Sequence, residues 1–157
     1  MPRKIGVKEA KQRAGRFCAF RERSPNELLE KLQSWGISEL ESVEIVAELS
    51  KEGFIDEQRF ANAFCNDKFQ FSSWGKQKIR AHIYSHKLPE NIVVNALDRI
   101  DPQAYEDRLF ELAKSKWQKL EGEETMKRKQ KVVSYMVSKG FEMDLIWSAI
   151  NTLEKSL

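Results

Sequence analysis

His82 and His86 stand four residues apart, a spacing that puts both imidazoles on one face of a helix and within reach of a single metal ion. Their neighbours Arg80, Ala81, Tyr84 and Lys87 supply no further ligand, and no Glu follows His82 in the order a metalloprotease uses. The pair is read as solvated or facing a nucleic acid, and no metal or other cofactor is expected. Asp56-Glu57 offers paired carboxylates, but acids collect at helix N-termini for electrostatic reasons alone. The pair is therefore read as a cap. The chain has no glycine-rich phosphate loop and no nucleophile elbow. No catalytic residue is assigned, and the protein is read as not an enzyme.

The basic residues are more informative, because they come in blocks. Residues 1–23 carry eight Lys or Arg against two acids, and residues 68–88 carry five against none. Residues 114–139 carry eight against three, while the stretches between these blocks are acidic. The net charge of +3 conceals this alternation. Aligned on one face, such blocks build a groove for a phosphate backbone; otherwise they only solvate helix faces. Aromatic residues accompany them: Phe69, Phe71 and Trp74 precede Lys76, Lys78 and Arg80, and Tyr135 follows Lys127 to Lys131. Aromatic rings can stack on unpaired bases, although Phe71 and Trp74 are expected to pack between helices, the usual fate of large aromatics. Weak nucleic-acid affinity without base-specific reading is the expectation.

A repeat must position these blocks. Leu28, Leu32, Gly36, Ile37, Val46 and Leu49 recur 51 residues later as Ile79, Ile83, Lys87, Leu88, Leu97 and Ile100. They recur a further 53 residues on as Val132, Met136, Gly140, Phe141, Ile150 and Leu153. A fixed period near 50 residues marks a repeat array in which each unit buries its apolar face against its neighbours. Such arrays usually present a surface to another macromolecule.

Helix punctuation agrees with this. Ser24-Pro25-Asn26-Glu27 is a capping box with Pro at the first helical position, and Ser38 with Glu41 repeats the box. Asp56 opens a helix carrying Phe60, Phe64 and Phe71 in line, and Asp101-Pro102 opens a longer one carrying Leu109, Leu112, Ala113 and Trp117. No segment alternates apolar and polar residues as a strand does. The expected fold is all-α, three tandem three-helix repeats forming an elongated, curved array. The expected divisions are a flexible basic tail over 1–8 and repeats over 9–53, 54–101 and 102–157. No apolar run approaches the roughly 20 residues that cross a bilayer, and no secretory signal is expected over Met1 to Glu9, where basic residues have no apolar stretch behind them. Cys18 and Cys65 sit among aromatics in helical patterns and read as buried thiols. A cytoplasmic setting follows.

Three elements resemble one family. Arg23-Ser24-Pro25-Asn26-Glu27-Leu28-Leu29-Glu30-Lys31-Leu32 resembles the R-S-x-x-E-L-x-x-K-L element of the bacterial RecX regulatory proteins. Gly53-Phe54-Ile55-Asp56-Glu57-Gln58-Arg59-Phe60-Ala61 is similar to that family's G-[FY]-[IL]-[DN]-[DE]-x-R-[FY]-A signature, and Trp74-Gly75-Lys76-Gln77-Lys78-Ile79-Arg80 to its Gly-opened basic helix. The likeness covers about residues 9–100, and the third repeat matches in pattern only. One departure is Lys87-Leu88-Pro89, where the family commonly has Gly then Ile. The resemblance implies a modulator that binds in the groove of the RecA filament on single-stranded DNA and inhibits its ATPase and strand exchange. Its partners would be that filament and DNA, single-stranded or double-stranded, with no membrane, and the chain would act as a monomer. Candidate contacts are Arg13, Arg16, Arg21 and Arg23, then Lys76, Lys78 and Arg80, then Lys127, Arg128, Lys129 and Lys131. A general nucleic-acid binder with no recombinase partner is the alternative of a different class.

Overall fold

A computed structural model of the chain describes residues 5–156. Among the described residues there are nine α-helices and no strand. They are α1 (Val7–Phe20), α2 (Pro25–Ser34), α3 (Glu39–Lys51), α4 (Glu57–Ser72), α5 (Lys76–Ile83), α6 (Glu90–Asp98), α7 (Pro102–Lys119), α8 (Thr125–Ser138) and α9 (Met143–Lys155). A single 3-10 turn, Tyr84–His86, follows α5. Of the basic tail expected over residues 1–8, residues 1–4 lie outside the described residues, and α1 begins at Val7.

The period found in the sequence is visible residue by residue. Leu28, Ile79 and Val132 are all fully buried, as are Leu32, Ile83 and Met136 within 1%. Leu49, Ile100 and Leu153 are buried at the third-helix position. The turn between second and third helices is left-handed at all three sites, with φ of 86° at Gly36, 54° at Lys87 and 96° at Gly140. Lys87 therefore takes the conformation its two counterparts reach through glycine, where a Cβ is strained.

The chain divides into two compact units. Of the described residues, the first comprises 5–64 and 83–96, the second 65–82 and 97–156. Helices α4 and α6 contribute to both, as does α5 through its last residue, Ile83.

In the first unit, α1, α2 and α3 enclose Ala10, Ala14, Cys18, Leu28, Leu32, Ile37, Ile45, Leu49 and Ile55. The predicted capping box forms in full: Ser24 Oγ accepts from Glu27 N–H, and Glu27 Oε1 accepts from Ser24 N–H at 3.1 Å. At α3 only the forward bond forms, from Glu41 N–H to Ser38 Oγ. Asp56 caps α4 by accepting from Arg59 N–H at 2.8 Å. His86 is half-buried against Phe60 and Phe64, with its Nδ1 2.8 Å from Ser24 Oγ. Glu27 lies 3.7 Å from the same nitrogen and favours the charged imidazole, but burial acts more strongly and lowers the His86 pKa. This histidine is a packed, hydrogen-bonded joint rather than the solvated one expected.

In the second unit, α7 packs along α8 and α9. Its stripe is buried at Tyr105, Leu109, Ala113 and Trp117, and Asp101 caps it behind Pro102 as predicted. The second half of α4 adds Cys65 and Phe69 to this core, but Phe71 points outward with 84% of its surface exposed. The expected helical line of phenylalanines thus breaks at its last member, which lies in the last turn of α4 and is left exposed by the described residues. Burial pushes the Cys65 thiol up to about 11 and raises that of Cys18. Both are inert as nucleophiles at neutral pH.

Candidate nucleic-acid interface

The sequence-predicted basic residues fall into different physical situations. On α1, Arg13 pairs with Glu9 one turn back at 3.0 Å. Arg21 spans the chain end of α1, bonding Glu27 at 2.7 Å and the Glu22 carbonyl at 2.8 Å. Arg23 lies 3.8 Å over the Phe17 ring and donates to the Phe17 carbonyl at 3.1 Å. Those two guanidiniums hold the α1–α2 corner together. Arg16 is exposed and has no ion-pair partner among the described residues. With Lys8, Lys11 and Phe54 it lines a shallow groove of about 690 Å³ whose floor includes Gly15 and Leu49. Lys11 is itself held by Glu48 and Glu52, both at 2.9 Å.

On α8, Arg128 is spent on structure. Its guanidinium stacks 3.7 Å over the Trp117 ring and donates twice to the Trp117 carbonyl, at 2.9 and 2.6 Å. Lys129 pairs with Glu154 at 2.7 Å and Lys131 with Glu123 at 2.5 Å. Lys127 is exposed and, with Lys131, Gln130, Tyr135, Ser134 and Lys116, lines an open depression of about 550 Å³ between α7 and α8. Lys116 Nζ sits 5.1 Å from the Tyr135 ring centroid, so this basic surface carries an aromatic.

The middle block makes the most organised arrangement, at the start of α5. Gly75 N–H donates to the Lys139 carbonyl at 2.7 Å, and Gln77 N–H to the Gly140 carbonyl at 3.0 Å. The end of α8 thereby satisfies donors that a helix N-terminus leaves open. Only glycine permits this approach: a Cβ on Gly75 would lie 2.3 Å from Gly140 backbone atoms, and one on Gly140 would lie 2.3 Å from Lys78 Cβ. Below the joint, buried Tyr105 accepts from Lys76 N–H at 3.0 Å and donates to Glu142. Burial, then that bond to Glu142, pushes the Tyr105 pKa up, so the phenol stays protonated.

Lysines gather on the outer side of the joint. Lys78 and Lys68 lie 4.6 and 4.9 Å from the Trp74 ring centroid, and His82 lies against the same indole at 4.4 Å. Lys139 Nζ donates to the Ser72 carbonyl at 2.8 Å. Burial, and then repulsion from Lys78, lowers the Lys139 pKa. Lys76 instead leans over Tyr105 at 5.1 Å, and Arg80 is exposed on α5. Lys139 and Lys68 were not candidates in the sequence. Lys139 reaches the corner only because Gly75 and Gly140 meet, and no local pattern announces a contact across 65 positions. Among the described residues no group of three His, Cys, Asp or Glu could hold a metal ion. No described helix is long and apolar enough to cross a membrane.

Tandem three-helix units, with basic side chains beside aromatics on open surfaces, define an all-α helical-repeat protein. Two family profiles match the chain, and together they span more than half of it: RecX, second three-helix domain, over residues 56–97, and RecX, third three-helix domain, over 104–150. The chain belongs to the RecX family.

Among curated relatives it is similar to the regulatory protein RecX of Chlorobium phaeobacteroides, 27% identical over 95% of this chain and 96% of that one. It is 25% identical to the RecX of Oceanobacillus iheyensis over 88% of this chain. It spans about half the length of that protein, and of the RecX of Staphylococcus aureus. Its fold matches the crystal structure of RecX from Lactobacillus salivarius with a TM-score of 0.87 at 20% identity, over 94% of this chain and 96% of that one. A second RecX crystal structure matches with a TM-score of 0.82 at 19% identity, over 95% of this chain and 71% of that one.

Proposed function

We propose that this chain modulates the RecA recombinase in the cytoplasm, binding the RecA filament on single-stranded DNA and inhibiting its ATPase and strand-exchange activities. In that role it restrains homologous recombination and DNA repair without an active site of its own. Membership of the RecX family carries the reading. The three basic surfaces support it: the α1 groove with Arg16, the α5 corner with Lys78, and the α7–α8 depression with Lys127. Each sits beside exposed or half-buried aromatic side chains, so each can meet phosphate and apolar surface together.

The physical requirement is differential binding. A ligand changes a filament's state only if it prefers one state or blocks addition of the next subunit. A chain bridging protein and phosphates meets that condition, since its site exists only where the filament is assembled.

The test is cosedimentation with RecA filaments across a salt titration, comparing the wild-type chain with Lys76→Glu, Lys78→Glu and Arg80→Glu combined. The expected result is weakened filament binding with unchanged helicity, and a salt-resistant remainder in the wild type. A log-linear fall with salt, with no remainder, is what phosphate binding alone produces. That outcome, with equal binding to bare DNA, would replace this proposal by a general nucleic-acid binder.

A further inference from the structure

The corner where α4 ends holds an aromatic that the fold leaves uncovered. Phe71 is 84% exposed, although the preceding Phe69 of the same helix is 2% exposed. Beside it two ammonium groups are gathered without an acid. Lys139 Nζ is fixed on the carbonyl of Ser72, the residue next to Phe71, and Lys78 packs against Gly140, the residue next to Lys139, where a Cβ would lie 2.3 Å from Lys78 Cβ. Neither lysine has a carboxylate partner among the described residues, and residues 68–88 contain no acid at all. Like charges held together this way gain most from an anion between them.

We infer that this corner is a subsite for one nucleotide of a single strand, with the phosphate between Lys78 and Lys139 and the unpaired base stacked on Phe71. The polymer is single-stranded because an exposed phenyl ring can stack only on a base face, and a duplex hides its base faces. Every base has such a face, so the subsite is indifferent to sequence. The inference deepens the filament reading by naming where the bound strand would touch this chain, but it can be tested with no recombinase present.

The measurement is fluorescence anisotropy of a labelled oligo(dT) and of an abasic strand of equal length, at low salt. Phe71→Ala, a surface change that leaves the core intact, is expected to weaken oligo(dT) binding about 5- to 150-fold and to leave the abasic strand unaffected. Lys139→Gln is expected to weaken both strands alike and to lower the salt slope by about 0.7, one phosphate's share on a single strand. Three outcomes overturn the subsite: no oligo(dT) binding by the wild type, unchanged oligo(dT) affinity in Phe71→Ala, or equal losses on both strands in Phe71→Ala. If Phe71→Ala impairs RecA inhibition while oligo(dT) affinity is unchanged, the ring meets protein and the inference fails while the filament reading stands. Loss on oligo(dT) alone, with no effect of the wild type on RecA, would do the reverse.

Discussion

Alanine at Gly75 should open the joint on which the α5 corner depends. Its Cβ would lie 2.3 Å from the carbonyl carbon and oxygen of Gly140 and 2.4 Å from Phe141 N. Carbon atoms in contact sit about 3.5–4.0 Å apart, and the atoms opposed here are backbone, so no side chain can rotate away. Helix α5 and the end of α8 must part. Overpacking of this kind costs about 1–3 kcal/mol. The parting also stretches the Gly75–Lys139 and Gln77–Gly140 hydrogen bonds, each worth about 0.5–1.5 kcal/mol. The total is about 2–6 kcal/mol.

Gly122 provides the control. Its φ is 93°, but nothing lies within 4 Å of a Cβ there, so Gly122→Ala meets only the backbone strain, about 1–2 kcal/mol. Gly140→Ala meets both, with φ of 96° and Lys78 Cβ 2.3 Å away. Urea unfolding followed by circular dichroism reads the series. With a slope of about 2 kcal/mol per molar, Gly75→Ala lowers the midpoint by about 1–3 M, Gly122→Ala by about 0.5–1 M, and Gly140→Ala by the most. A Gly75→Ala midpoint equal to that of the wild type would refute the close approach as the basis of this corner.

Burial holds the His86 pKa below its ordinary value, so the native state favours neutral imidazole. The stability this contributes is fully present above the unfolded pKa of about 6.5 and is lost as pH falls through the folded value. Unfolding midpoints should therefore drop on acidification below about pH 6.5, and His86→Gln should flatten that drop. Lys87 pays for a left-handed turn that Gly36 and Gly140 make freely, so Lys87→Gly should raise stability by about 0.5–1 kcal/mol, read from the same urea curves. Leu32→Ala, at a fully buried core position of the first unit, should cost about 2–5 kcal/mol; a loss below about 0.5 kcal/mol is the surface value and would mean that the assigned face is wrong.

Much of the fold was legible because its signals are local. Ser24, Ser38, Asp56 and Asp101 each cap the helix their side chains predicted. The turn geometry at Lys87 was not legible, since a lysine stands where the other two repeats have glycine, yet its backbone is left-handed like theirs. The candidate site was less legible, because charge type does not say what a charge is doing. Arg21, Arg23 and Arg128 belong to basic blocks in the sequence, yet they hold carbonyls, a carboxylate and ring faces of their own chain. Phe71 follows the helical period of Phe60 and Phe64 but lies exposed in the last turn of α4, which periodicity cannot report. His86 looked like half of a histidine pair and is instead the partner of Ser24, 62 residues away. Such contacts are products of the tertiary arrangement, and the meeting of Gly75 and Gly140 is of the same kind.

Modulation of RecA is tested most directly by the ATPase activity of RecA on single-stranded DNA, using the recombinase of the same organism and titrating in this chain. Inhibition that saturates well below one chain per RecA subunit is the predicted result. Unchanged ATPase activity across the titration, with DNA binding by the chain still measurable, would contradict it.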